Sequence, residues 1–132
     1  MLRIYLAHPV TNAVSGYESL RSAIRTAAPE ARCIEPHGQL LPEIIAEVAF
    51  EGIEACDVLV ADISEYSIGV GVEIGYAFGL GKQIILVAEE AARYGISPFL
   101  RGIAPDILFY DDDCDLPRQL ITRLHRTGSA SA

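Results

Sequence analysis

The feature that most constrains this chain is an alternation. Five short apolar runs are each followed by a stretch whose apolar residues recur at helical spacing. Leu2 to Ala7 is strand-like and breaks at Pro9-Val10-Thr11-Asn12. Tyr17, Leu20, Ile24 and Ala28 then mark a helix that Pro29 closes. Arg32 to Glu35 is a brief second strand, ended by Pro36-His37-Gly38. Leu41, Ile44, Ile45, Val48, Gly52 and Ile53 predict an amphipathic helix with Glu43, Glu47 and Glu51 on its wet side. Asp57 to Ile63 and Gln83 to Ala88 read as buried strands. The helix between them is expected over Glu73 to Gly81, announced by Ser67 and a Gly69-Val70-Gly71 turn. Ala91 to Leu100 reads as partly helical, interrupted by Gly95 and Pro98; Asp106 to Tyr110 is the last strand and Leu116 to His125 the last helix.

Apolar runs without polar alternation need cover on both faces, which a parallel sheet between two helical layers supplies. For five such units the usual strand order is 2-1-3-4-5, with a ligand crevice at the carboxyl ends of strands 1 and 3. The 132 residues suit one domain. Residues 1–126 are expected to form it, with 127–132 (TGSASA) a flexible tail.

Charge narrows the partners. Eighteen acids against ten bases give a net charge of −8, which argues against binding nucleic acid polymers or anionic membranes. A composition 51% hydrophobic excludes disorder, and no apolar run reaches the roughly 18 residues of a membrane span. Met1 leads straight into a strand pattern, so no secretory leader is expected. Cys33, Cys56 and Cys114 are odd in number and lack metal-ligand spacing; they read as reduced thiols of a cytoplasmic protein. Neither a metal nor a cofactor is expected.

The crevice rule points to His8-Pro9-Val10-Thr11-Asn12 after strand 1 and to Ser64 through Glu73 after strand 3. Ser67 with Gly69 and Gly71 before a helix makes a turn whose amides suit a phosphate. Glu73, placed in the first helical turn, is either a nucleophilic carboxylate or simply a favourable residue near a helix dipole. Tyr5 lies on strand 1 as a packing residue or a site residue. His8 is a substrate contact or a surface loop residue. His37, at the end of strand 2, either stacks on a base or moves a proton, or is an ordinary loop histidine. Asp111-Asp112-Asp113 with Asp115 reads as a solvated turn capping the last helix.

Three segments resemble the nucleoside 2-deoxyribosyltransferase family: Tyr5-Leu6-Ala7, Cys56-Asp57-Val58-Leu59-Val60-Ala61, and Gly71-Val72-Glu73-Ile74-Gly75-Tyr76-Ala77 followed by Gly79-Leu80-Gly81-Lys82. The resemblance covers residues 2 to 110 and implies a flavodoxin-like three-layer sandwich. It also implies that Glu73 attacks C1′ of the sugar and that Tyr5 positions that carboxylate. By their place at the crevice, His8, Pro9, Val10, Thr11 and His37 are the expected substrate contacts, with Ser67, Gly69 and Gly71. Acceptance of the glycosyl group by a base gives transfer; acceptance by water gives hydrolysis.

Two details resemble the 2′-deoxynucleoside 5′-phosphate N-hydrolase branch. Ser67 stands where transferases carry an acid for the 5′-hydroxyl, and Ser97, before Pro98-Phe99-Leu100-Arg101-Gly102, resembles a second phosphate serine supplied by a neighbouring subunit. A homodimer or larger homo-oligomer is therefore implied. One departure stands out. The acid that the family carries seven residues before the Cys56 position, where it helps protonate the leaving base, is Ala49 here. His37, His8 and Glu47 are the replacements in view. Two rival readings are a non-catalytic nucleotide-binding module and a flavin-binding or receiver protein of the same fold. A receiver wants an acid pair after strand 1, where this chain has Ala7-His8-Pro9, and a flavodoxin wants a phosphate loop that Thr11-Asn12-Ala13-Val14-Ser15 imitates poorly.

Overall fold

Every apolar run becomes a strand of one sheet. The computed structural model describes residues 1–9, 14–35, 41–111 and 115–130. β1 (Arg3–Ala7) lies between β2 (Arg32–Ile34) and β3 (Val58–Asp62), and β4 (Gln83–Glu89) and β5 (Leu108–Tyr110) continue the sheet. All neighbours are parallel, in the expected order 2-1-3-4-5, so the carboxyl ends of the strands share one edge. Tyr5 pairs in register with Ile34 on one side and Leu59 on the other.

Successive strand residues face opposite ways and both faces are buried. On one face Ile4, Leu6, Val58, Val60, Ile85 and Val87 pack under Leu20 and Ile24 of α1 (Val14–Ala27) and Leu116, Leu120 and Leu124 of α5 (Asp115–Ala130). On the other, Tyr5, Leu59, Ala61 and Leu86 pack under Ile53 of α2 (Pro42–Ala55), Ile74 of α3 (Ile68–Gly79) and Leu100 of α4 (Pro98–Ile103). Each fully buried aliphatic side chain contributes about 1.5–3 kcal/mol. The three-layer sandwich follows.

Several boundaries differ from the sequence expectation. β2 stops at Ile34, which leaves Glu35 just beyond the strand, and β5 starts at Leu108. The segment after β4 divides into a 3-10 helix (Glu90–Gly95) and α4, and α5 continues past His125 to Ala130. The largest difference is at α3. It starts at Ile68, so Gly69-Val70-Gly71 is helix and not a turn, and Glu73 sits in the second turn. Helical glycine costs about 1 kcal/mol relative to alanine, which is why the pair suggested a turn. Two favourable contributions offset that cost. Ser67 caps the helix, its Oγ accepting from the Val70 amide at 3.3 Å and its carbonyl from the Gly71 amide at 3.1 Å. Val70, Ile74 and Ala77 also bury against the sheet.

At the other end of α3, Gly81 takes φ +73° and closes a Schellman cap: its amide bonds the Phe78 carbonyl at 3.1 Å, and the Lys82 amide bonds that of Ala77 at 3.0 Å. Lys82 Nζ then donates to the carbonyls of Glu54 and Cys56, both at 2.8 Å, at the end of α2. The head of α3 is thus set beside α2 and above β1. Among the described residues no helix is long and apolar enough to cross a membrane.

Candidate active site

Glu73 projects from the second turn of α3 towards β1, where the Tyr5 hydroxyl donates a hydrogen bond to its Oε2. Tyr5 is fully buried. Burial, then the bond to Glu73, hold the phenol well above its ordinary pKa, so it remains a donor at any working pH. Burial also raises the Glu73 carboxyl, while the Tyr5 bond and the nearby His8 pull it back only in part. The result is a carboxylate with little solvation and one fixed neutral donor.

That carboxylate lines a cavity of about 210 Å³ walled by Ala46, Ala49 and Phe50 of α2, Gly69 and Val72 of α3, and His8 after β1. Phe50 is stacked on Tyr76, with ring centroids 4.3 Å apart. Glu73 and His8 are the two ionisable side chains in this wall among the described residues. Ala49 of α2 is part of the wall and is buried. Glu47 is exposed and does not line the cavity.

His8 is held from behind. Its Nε2 lies 2.5 Å from Glu35 Oε1, and its Nδ1 lies 3.3 Å from the carbonyl of buried Pro9. Arg21 of α1 grips the same carboxylate, with Nη2 2.6 Å from Oε1 and Nε 3.1 Å from Oε2. Burial raises the Glu35 carboxyl, but the hydrogen bonds from Arg21 and His8 outweigh it and leave the pKa lowered. Sequence reasoning missed Glu35 and Arg21. The one available signal was position: Glu35 follows β2 beside β1, at the carboxyl edge where ligands bind.

A second cavity, of about 510 Å³, opens on a different face of α3. Ser67, Gly71 and Ser97 line it, together with Ser64 and Phe99. Ser97 caps α4 by accepting from the Phe99 amide at 3.2 Å. The floor of the loop after β3 is fixed by Asp62, which accepts from the Ser64 amide at 2.9 Å and from the Tyr110 hydroxyl at 3.0 Å.

The predicted residues therefore divide. Glu73, His8 and Gly69 surround one cavity, with Tyr5 bonded behind it and Pro9 against His8. Ser67, Gly71 and Ser97 surround the other. Val10, Thr11 and His37 lie outside the described residues, as do Cys114, Asp112 and Asp113. Cys33 is exposed and Cys56 buried, both as free thiols. Asp115 engages its own helix through Arg118 at 2.5 Å and Gln119 at 2.7 Å.

A weakly solvated carboxylate positioned by a phenol, with a buttressed imidazole in the same apolar cavity, is equipment suited to displacement at a sugar carbon. The comparisons agree with that class. Residues 4–115 match the family described as nucleoside 2-deoxyribosyltransferase, and the chain belongs to that family. It is 31% identical over 96 residues to 5-hydroxymethyl-dUMP N-hydrolase of Mus musculus, covering 70% of this chain and 55% of that protein. It is 38% identical over 64 residues to the putative 2′-deoxynucleoside 5′-phosphate N-hydrolase 1 of Thermofilum pendens, covering 48% and 45%. The chain thus spans about half the length of these curated relatives. In fold it is similar to the Clostridium botulinum CMP N-glycosidase BcmB, with a TM-score of 0.71 at 21% identity over 89% of this chain and 96% of that one.

Proposed function

We propose that this protein hydrolyses the N-glycosidic bond of a nucleoside or deoxynucleoside 5′-monophosphate, with Glu73 as nucleophile. The observation that carries the reading is the Tyr5–Glu73 pair in the wall of an apolar cavity. Glu73 attacks C1′, the base leaves with the bonding electrons, and water then attacks C1′ of the glycosyl ester to free Glu73. Tyr5 fixes the attacking oxygen and makes no ion of its own. Phe50 and the α2 wall offer a planar base an apolar seat.

Hydrolysis is preferred to transfer because the relatives named above are N-hydrolases and because no acid stands at the head of α3. With Val70 and Gly71 bonded to Ser67, the amides left for a phosphate there are those of Ile68 and Gly69. Ser97 shares its own chain's second cavity with Ser67, away from Glu73, and a second copy of the chain that brings its Ser97 to the head of α3 beside the Glu73 cavity would complete the phosphate site. The working location is cytoplasmic and the working form a homodimer.

The test is a panel of nucleosides and 5′-nucleotides, with free base followed by chromatography. We expect 5′-phosphates to be turned over in preference to nucleosides, without transfer to added free base. Glu73→Ala should lower turnover by on the order of 10⁴-fold or more while leaving the fold intact. Activity within about tenfold of the parent would overturn the nucleophile assignment. Transfer to added base, or better turnover of free nucleosides, would select a deoxyribosyltransferase. Binding without base release would select a non-catalytic nucleotide-binding module.

A further inference from the structure

We infer that His8 is the acid that protonates the departing base, held for that task by a Glu35–Arg21 buttress. The inference rests on the cleavage proposed for Glu73. A base leaving C1′ carries the bonding electrons on its ring nitrogen and needs a proton there or on a conjugated oxygen. Ala49, in the cavity wall, has no proton to give. Glu73 is the attacking group and cannot also be the donor. His8 remains, since among the described residues the wall contains no other ionisable side chain.

The geometry around His8 suits that role. Nε2 lies against the Glu35 carboxylate at 2.5 Å, an acceptor that requires N–H on that nitrogen. Nδ1 faces the Pro9 carbonyl at 3.3 Å, a second acceptor, so the doubly protonated ring suits both neighbours. The Nδ1 contact is the longer of the two, and the step assigned here takes its proton from Nδ1. Glu35 thus acts as a positioning residue, in the way a buried carboxylate orients the imidazole of a hydrolytic triad. Arg21 keeps Glu35 ionised and in place from α1.

The steps balance. In the first, Glu73 forms a bond to C1′, the C1′–N bond breaks, and the Nδ1 proton passes to the base. In the second, neutral His8 takes a proton from water as the oxygen attacks C1′. The C1′–Glu73 bond breaks, Glu73 regains its charge, and His8 is again the acid. Nucleotide and water give free base and sugar phosphate.

The test compares leaving groups. The full-length protein is assayed with its best nucleotide and with the p-nitrophenyl glycoside of the same sugar 5-phosphate, whose anion departs without a proton. We expect His8→Ala and His8→Gln to lose about 10²–10⁴-fold in kcat on the nucleotide and less than about tenfold on the nitrophenyl glycoside. His8→Gln keeps a donor to Glu35, so it separates acid function from loss of the buttress. Glu35→Gln should show the same selectivity for the poorer leaving group, which a general loss of structure would not produce. Equal losses on both substrates, or none on the nucleotide, overturn the acid role and leave Glu73 standing. Glu73→Ala should lose both activities; if it retains them, the nucleophile reading falls and this inference with it.

Discussion

Glu73 carries an energetic conflict that the nucleophilic role proposed for it would require. A carboxylate half-buried beside a single phenol is poorly solvated, and its pKa is raised for that reason. A group whose folded pKa exceeds its unfolded value contributes stability below the unfolded pKa and loses it as pH rises through the folded one. At neutral pH ionised Glu73 is therefore a cost to the fold. We expect Glu73→Gln to melt above the parent at pH 7, and the gap to close as pH falls below the ordinary carboxylate value of 4.5. Calorimetry across that range decides the point; a variant that melts below the parent at pH 7 would show that the ionised group is well compensated. Activity and stability then move in opposite directions at one residue.

Among the elements, the contact of α2 with β1 sets the precision of the site. Gly52 is where the helix backbone comes closest. A Cβ there would lie 2.9 Å from Ile34 Cγ2 and 3.0 Å from Tyr5 Cε2. Tyr5 is fully buried and Ile34, partly buried, packs against the same core, so the ring does not yield easily. Gly52→Ala should cost about 1–3 kcal/mol by overpacking, read by urea unfolding. It should also lower turnover, because the displaced ring carries the hydroxyl that aims Glu73. Unchanged turnover with reduced stability would detach the Tyr5 position from catalysis. The elements also explain the cavity's apolar wall: α2 presents Ala46, Ala49 and Phe50 to it, while Glu43, Glu47 and Glu51 are exposed and outside the lining.

For the molecule as a whole, net charge bears on assembly. The cavity that Ser97 shares with Ser67 is bordered by exposed Phe99 and Tyr66 on a chain of net charge −8. Pairing of two copies must bury apolar surface against that repulsion, so salt should favour it. Light scattering on dilute protein should give a dimer. Mixed Glu73→Ala and Ser97→Ala subunits should regain activity on exchange, since the mixed pair restores one complete site. A fully active monomer, or mixtures that never recover, would show each site to be complete within one chain.

The sequence by itself determined the order of elements and a parallel sheet covered by helices on both faces. Those follow from local periodicity: runs such as Val58 to Ala61 tolerate water on neither face, and the usual winding of five such units did the rest. It also placed Tyr5 and Glu73 at one edge of the sheet, as strand and loop neighbours of the point where the winding reverses. Only the tertiary structure decided where α3 begins, because the Ser67 cap and the burial of Val70 outweigh the weak glycine preference against helix. The phase of that helix then sent Gly69 and Glu73 to one cavity and Gly71 to the other, a separation that an expected turn would not have shown. The Arg21–Glu35–His8 cluster was likewise invisible beforehand. Its members stand 14 and 27 residues apart in the chain, and they meet only because β2 pairs with β1 under α1. Periodicity is written locally, whereas the convergence of charges from separate elements exists only once the chain has packed.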